Sequence, residues 1–356
     1  MSSSRKRFLV LPMVIGASIC IALLAYLGQV GKAAPPPPLN PNDEYVLLSW
    51  NDLGMHCYNR DFADLAVLPP YNNLWAQVVH RGDPPMIITT GITVTYGFSN
   101  NTYSVGKSNF WTYAQQLFGL PSPLPPNIGL TGKGLAGNME LAGDHFQVDG
   151  IPLTEFSDNA PTVADPYQLA TVHVIDKTTR QILTQATVVA PVSTEMRCDE
   201  CHSDTGVATI GEITPTGKVE TNILTLHDEE HQNEYPPGHQ GALMDRRPVL
   251  CASCHSSNAL GEPGVAGIPS LSHAMHSKHA EEDGFQADTS GCYKCHPGQN
   301  AKCLRGVMSK NAGSVSYRRG SSRKRASACC IGLLTVNTVN WWIRRISALM
   351  AAGASA

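Results

Sequence analysis

Apolar and polar positions alternate in short runs from about residue 44 to residue 193, and beyond that the alternation stops. EYVLLSW (44–50) reads as a buried strand. LWAQVVH (74–80) and MIITTGITVTYGF (86–98) add β-branched and aromatic segments bounded by Pro, Gly and Asn, the pattern of strands between turns. QLATVHVID (168–176) alternates, KTTR supplies a turn, and QILTQATVVAPV (181–192) is apolar enough for a central strand, so the pair predicts a hairpin. In NFWTYAQQLFG (109–119) the period changes: Phe110, Tyr113, Ala114 and Leu117 recur at helical spacing and Gly119 is a natural stop. The Pro- and Gly-rich residues 120–143 predict a long loop. These elements predict a mainly β, β-sandwich-like domain over residues 44–193.

Past Ser193 the chain turns to Cys, His, Gly, Ser and Pro, with too few apolar runs to build a core. The same short pattern then occurs three times, as CDECH (198–202), CASCH (251–255) and CYKCH (292–296). Two thiols three positions apart can each add to a vinyl group of one haem, and the next residue's imidazole then lies under the iron. A lone C-x-x-C is more often a zinc knuckle or a redox dithiol. Neither needs a histidine after the second cysteine every time, so three copies point to covalent haem. The cofactor-binding residues are therefore Cys198, Cys201, His202, Cys251, Cys254, His255, Cys292, Cys295 and His296, holding three haem c groups, with His202, His255 and His296 as proximal iron ligands. Porphyrins are large apolar discs. They would supply the missing core, so residues 194–308 are expected to form a haem-packed domain with little regular secondary structure and short helices.

An iron that passes electrons without binding substrate needs a sixth ligand. Ten of the 13 histidines lie outside the motifs. His227 and His231 are four apart and His276 and His279 three apart, so on helical turns each pair would share a face and reach neighbouring irons. These four are the distal candidates. His56, His80, His145 and His173 fall in the β region, where hydrogen-bonding roles suit them better, and His239 and His273 are intermediate. Met244 and Met275 are alternative ligands, though unpaired methionines usually serve packing.

The N-terminus carries Arg5, Lys6 and Arg7 before an apolar run from Phe8 to Leu27, which reads as an export signal over residues 1–34. Two fates stand: retention as an inner-membrane anchor with the basic end in the cytoplasm, or cleavage after Ala33. Residues 35–43 form a Pro-rich linker. Either way the rest is expected outside the cytoplasm, in the periplasm or at the cell surface, where c-type haem is attached. Cys57 and Cys303 lie outside the motifs, and two readings stand for them: a disulfide between them in an oxidising compartment, or buried free cysteines.

Charge is low, 15% of residues, and unevenly spread. Residues 1–288 carry 15 Lys plus Arg against 29 Asp plus Glu, whereas 289–356 carry 11 Lys plus Arg and no acidic residue. The atypical basic tail over 309–356 reads either as a membrane-surface segment or as a translated wrong frame. The second reading accounts for the joint loss of acidic residues and of any further motif. It implies that relatives carry a fourth haem motif there.

WNDLGMHC (50–57), LPPYNN (68–73), GITVTY (91–96), GKSNFW (106–111), VSTEMRCDECH, NILTLHDEEH (222–231), PVLCASCH, SHAMHSKH (272–279) and the CYKCHPG…CLRG segment (292–306) resemble an incompletely characterised family of exported multihaem c-type cytochromes. The resemblance covers roughly residues 44–308 and ends after Met308. It implies electron carriage and no known reaction for the N-terminal domain. The chain is thus expected to be an extracytoplasmic electron carrier or relay with mostly bis-histidine, low-potential haems. Its expected partners are redox proteins, and the membrane if the N-terminal segment is retained. Nucleic acid is not among them, and self-association stays open. Two rival readings are a haem-containing reductase of a small oxyanion and a partner-binding β module with accessory haems. No triad, phosphate loop or bare metal cluster marks the β region as catalytic.

Overall fold

The structure, a computed structural model, describes residues 43–194 and 196–281. The export segment, the Pro-rich linker, the CYKCH motif, Cys303 and the basic tail lie outside the described residues.

The described chain is mainly β. Its strands are β1 (Tyr45–Trp50), β2 (His56–Cys57), β3 (Leu65–Ala66), β4 (Asn73–His80), β5 (Met86–Ile87), β6 (Ile92–Phe98), β7 (Ala136–Asn138), β8 (Glu140–Ala142), β9 (His145–Asp149), β10 (Phe156–Ser157), β11 (Ala160–Ala164), β12 (Tyr167–Asp176), β13 (Ile182–Ser193) and β14 (Val249–Leu250). Its helices are α1 (Phe110–Leu117), α2 (Asp199–His202), α3 (Val219–His231) and α4 (Leu271–Glu281). Strand β10 pairs with β11 and β14 with β3, while one five-stranded sheet has the order β1-β4-β9-β8, with β5 also on β4, and a second the order β2-β13-β12-β6-β7. Alternation drives both. In β6, Ile92, Val94, Tyr96 and Phe98 all point inward, and in β12 Ala170, Val172 and Val174 do the same. They share one hydrophobic cluster with Leu74 and Val78 of β4, Phe146 and Val148 of β9, and Phe110, Ala114 and Leu117 of α1. Each fully buried Val, Leu or Phe contributes about 1.5–3 kcal/mol, so this cluster dominates the stability of the β region.

The predicted helix forms over Phe110–Leu117, and Gly119, at φ +58°, ends it as the spacing requires. The hairpin of β12 and β13 also forms, in one register from Tyr167–Pro191 to Val174–Thr184, with a one-residue shift before the Ile175–Ile182 pair. Four expectations need correction. EYVLLSW is a strand, but only Leu47 in it is buried and Leu48 is 48% exposed, because β1 lies at a sheet edge. Residues 86–98 form two strands, separated by a turn in which Gly91 takes φ +74°. The loop over 120–143 ends early, since β7 and β8 pair with β6 and β9. They escape periodicity because both sit at sheet edges, where Ala136, Gly137 and Asn138 are all exposed. The central strand of the second sheet is β12 rather than β13, whose first half is largely outside the core.

The chain beyond Ser193 is stitched to this β framework. Strand β14 runs parallel to β3, and Leu250 and Ala252 enter the main cluster. The buried Asp64 beside β3 binds Arg247 Nη1 at 2.8 Å and Lys218 Nζ at 3.0 Å. Buried Glu155 accepts the Thr194 N–H at 2.6 Å just ahead of the first motif. Apolar packing of its own is scant here: among the described residues a second cluster has only Leu65, Leu224 and Leu243 fully buried.

His56 of β2 is enclosed, and its Nε2–H donates to the Pro69 carbonyl at 2.8 Å. Burial pushes its pKa down to about 4. The neutral ring is therefore favoured in the fold, whereas the unfolded chain takes up a proton from about pH 6.5 downward. Stability from His56 is fully present above pH 6.5 and is lost as the pH falls toward 4, by about 3 kcal/mol over that window. Denaturant titrations at pH 7 and pH 4.5 should show that loss, and His56→Gln should flatten it; equal slopes for the two proteins would contradict the assignment.

Candidate functional site

Both described motifs are built alike. In CDECH the N–H of Cys201 and that of His202 reach the Cys198 carbonyl at 3.2 and 2.8 Å. In CASCH those of Cys254 and His255 reach the Cys251 carbonyl at 3.3 and 3.1 Å. The carbonyl of the second cysteine then accepts a later N–H in each, from Ala208 at 3.0 Å and from Val265 at 2.8 Å. A glycine presses on that same carbonyl: a Cβ on Gly206 would lie 2.1 Å from the Cys201 oxygen, and one on Gly264 2.7 Å from the Cys254 oxygen. One tight turn thus places two thiols and an imidazole twice over, with local hydrogen bonds and no need of a large core. The two turns are neighbours. Burial pushes the Cys251 thiol up to about 12, and both Cys198 and Cys254 oppose its ionisation further.

Helix α3 runs from one turn to the other. At its start the fully buried Asn222 donates to the His202 carbonyl at 2.9 Å and to Asp204 Oδ1 at 2.9 Å. Five residues later, His227 faces the other motif, with ring centroids of His227 and His255 6.3 Å apart at 79°. Helix α4 follows the second motif and returns to the first: the His202 and His279 centroids are 6.2 Å apart at 77°. Lys278 bridges the two helices, 3.1 Å from Glu230. The pairing of the rings is therefore crossed, since the helix after each motif faces the histidine of the other.

These separations suit a six-coordinate iron. Two metal–nitrogen bonds of about 2 Å plus the distance of about 1.1 Å from each nitrogen to its ring centre span about 6.2 Å. The nitrogens that would turn to the metal are open. His255 Nδ1 lies 2.8 Å from the Pro269 carbonyl, His227 Nδ1 3.1 Å from the Tyr235 hydroxyl and His279 Nδ1 2.6 Å from the Met275 carbonyl. In each ring Nδ1 carries the proton toward an oxygen and Nε2 is left as the donor atom, as metal-bound imidazoles require. His202 Nδ1 is buried and has no hydrogen-bond partner among the described residues. Burial, reinforced by His279, lowers the pKa of His202 to about 4, and burial also lowers that of His227, so both rings favour the neutral, ligating form.

Of the remaining predicted ligands, His231 sits on α3 with its ring 5.2 Å from that of His227 and its Nδ1 3.1 Å from Glu234. His276 sits on α4, Nδ1 2.6 Å from the Ser272 carbonyl. Neither enters the two pairs. Met244 packs against the small apolar cluster and Met275 is 40% exposed. His80 and His145 lie beside Glu44 and Asp144, at 2.9 and 3.1 Å. Cys292, Cys295 and His296 lie outside the described residues. No group of three or more His, Cys, Asp or Glu side chains converges as a bare metal site among the described residues, and no described helix is long and apolar enough to cross a membrane. A haem site calls for only two protein ligands on opposite sides, because the porphyrin supplies the other four. The residues that spacing alone did not single out are Tyr235 and Asp228, which stand behind His227.

Comparison with protein-family models, with curated proteins and with solved structures gives no match for this chain.

Proposed function

We propose that the chain is a multihaem c-type cytochrome, an extracytoplasmic electron carrier or relay between redox protein partners. The observation that carries the reading is the pair of imidazole separations, 6.2 and 6.3 Å, each joining a motif histidine to a helix histidine across a gap of haem-iron size. Cys198 and Cys201 would hold one haem between His202 and His279, and Cys251 and Cys254 another between His255 and His227. His296, outside the described residues, would hold a third, with His231 and His276 left as candidates for its other ligand. The haems supply the one-electron chemistry. The chain's own residues would hold them by thioether bonds and paired imidazoles, leave no place for a substrate at the iron, and set the basicity of those rings.

Low potential follows from imidazole on both sides, since an axial methionine would raise it. Closely placed attachment turns would bring two haems near enough for fast hopping. In this reading the two sheets around their shared cluster form a β-sandwich-like domain that docks partners or caps the haem chain, and residues 194–308 form a domain packed on its haems. The N-terminal segment directs export and, if retained, anchors the protein in the inner membrane.

The test is the protein as exported by a host that attaches c-type haem. Intact mass should give three covalent haems, and the ferric spectrum should be wholly low-spin. Ring planes crossed near 80° leave two iron d orbitals almost degenerate, so two of the paramagnetic resonance signals should be of the strongly anisotropic kind. Zinc in place of iron, or a five-coordinate high-spin majority, would defeat the proposal.

A further inference from the structure

Behind His227 lies a buried carboxylate that haem attachment does not require. Asp228 is 8% exposed, and its Oδ1 accepts the Tyr235 hydroxyl at 2.5 Å and the Leu243 N–H at 2.7 Å, while its Oδ2 accepts the Met244 N–H at 3.0 Å. Because the Tyr235 proton points to Asp228, the Tyr235 oxygen is left to accept the Nδ1–H of His227 at 3.1 Å. The two rings also stack, with centroids 5.7 Å apart at 27°, which fixes the orientation of His227. The chain of donors has one direction, from imidazole to phenol to carboxylate. His279, the corresponding ring on the first motif, donates to an ordinary helix carbonyl, that of Met275.

We infer that Asp228 and Tyr235 are positioning residues that would make the haem of the second motif more reducing than that of the first, so that electrons would run from the second to the first. The inference rests on the axial pairing proposed above. An imidazole whose N–H is drawn toward a carboxylate gives more electron density to its metal and stabilises the ferric state, which lowers the potential. The negative charge held close by acts in the same direction, because the oxidised iron carries one more positive charge. Asp228 follows His227 directly in the chain, so on helix α3 its side chain is turned about 100° away from the ring and could not reach Nδ1 itself. Tyr235, entering from the segment after the helix, closes that gap. The same carboxylate holds the Leu243 and Met244 amides, so the segment leading back to the second motif is fixed by the group that tunes its iron.

The experiment is an optical redox titration of the full haem-loaded chain and of Tyr235→Phe, with His227→Met as the marker that identifies the component of the second motif. The phenylalanine keeps the stacked ring and removes only the hydroxyl. The marked component should be the lower of the two in the parent and should shift upward in Tyr235→Phe by about tenfold in its reduction equilibrium, which is about 59 mV for a one-electron couple. The other components should stay in place and the iron should remain low-spin. Asp228→Asn should move the same component in the same direction. A chain without covalent haem, or a His227→Met variant that titrates like the parent, overturns the axial pairing itself. With both of those passed, an unmoved Tyr235→Phe curve, or an equal shift in every component, overturns the role given to Tyr235 and Asp228 alone.

Discussion

Replacing His279 by alanine is expected to turn one haem, and only one, from low-spin to high-spin, although CASCH, the motif that precedes it in sequence, is intact. The affected iron should be that of His202, because the His279 ring stands 6.2 Å from His202 across the gap. His227→Ala should do the same to the iron above His255, and the double variant should convert two haems, roughly two-thirds of the iron in a three-haem chain. His173→Ala, on the half-buried face of β12, should convert none. Magnetic circular dichroism or paramagnetic resonance reads the high-spin fraction directly. Exogenous imidazole should restore the low-spin state, since the substitution opens a site without disturbing the turn that holds the thiols. A fully low-spin His279→Ala chain would remove α4 from the ligand set. Crossed ligation also has a folding consequence. On the proposed pairing the first haem would not be completed until α4 has been made and docked, so a chain truncated before residue 271 should carry a high-spin haem at CDECH even with that motif whole.

Much of the β region is legible in the sequence, because alternation reports burial wherever a strand has one face on the core. Ile92 to Phe98 and Leu169 to Val174 announce themselves in this way. Strands β7 and β8 do not, since an edge strand with exposed Ala136, Gly137, Asn138 and Glu140 has no buried face to report. The two C-x-x-C-H turns are legible for a different reason, which is that the thioether chemistry proposed for them would fix their spacing. Spacing also names the histidines able to face an iron. It cannot pair them, because pairing depends on how α3 and α4 pass one another, and that is set by long-range contacts such as Asn222 to His202 and Lys278 to Glu230. Tyr235 gave no signal at all. A tyrosine eight residues from a ligand is ordinary until the intervening turn brings its hydroxyl to Nδ1.

Gly264→Ala is expected to cost about 3–5 kcal/mol in the haem-binding part and to displace the CASCH turn, the largest effect foreseen for the loss of no functional group. Two penalties meet there. Gly264 has φ +62°, a left-handed conformation in which a Cβ by itself costs about 1–2 kcal/mol. That Cβ would also lie 2.2 Å from the Ser256 nitrogen, 2.7 Å from the Cys254 oxygen and 2.8 Å from the His255 carbonyl carbon, all backbone atoms of the attachment turn. No side-chain rotation relieves such an overlap, so the backbone carrying His255 must move, and with it the Val265 N–H bond to Cys254. Gly261 provides the internal control. Its φ is +69°, but a Cβ there would meet nothing within 4 Å, so Gly261→Ala should show the conformational cost alone, about 1–2 kcal/mol. The readouts are the denaturant midpoint of the haem-loaded chain and the position of the second-motif component in a redox titration. Gly264→Ala should shift both, and Gly261→Ala only the first, by less than half as much. Equal effects from the two substitutions would mean that the glycine serves its φ alone and that the carbonyl of the second cysteine needs no close partner.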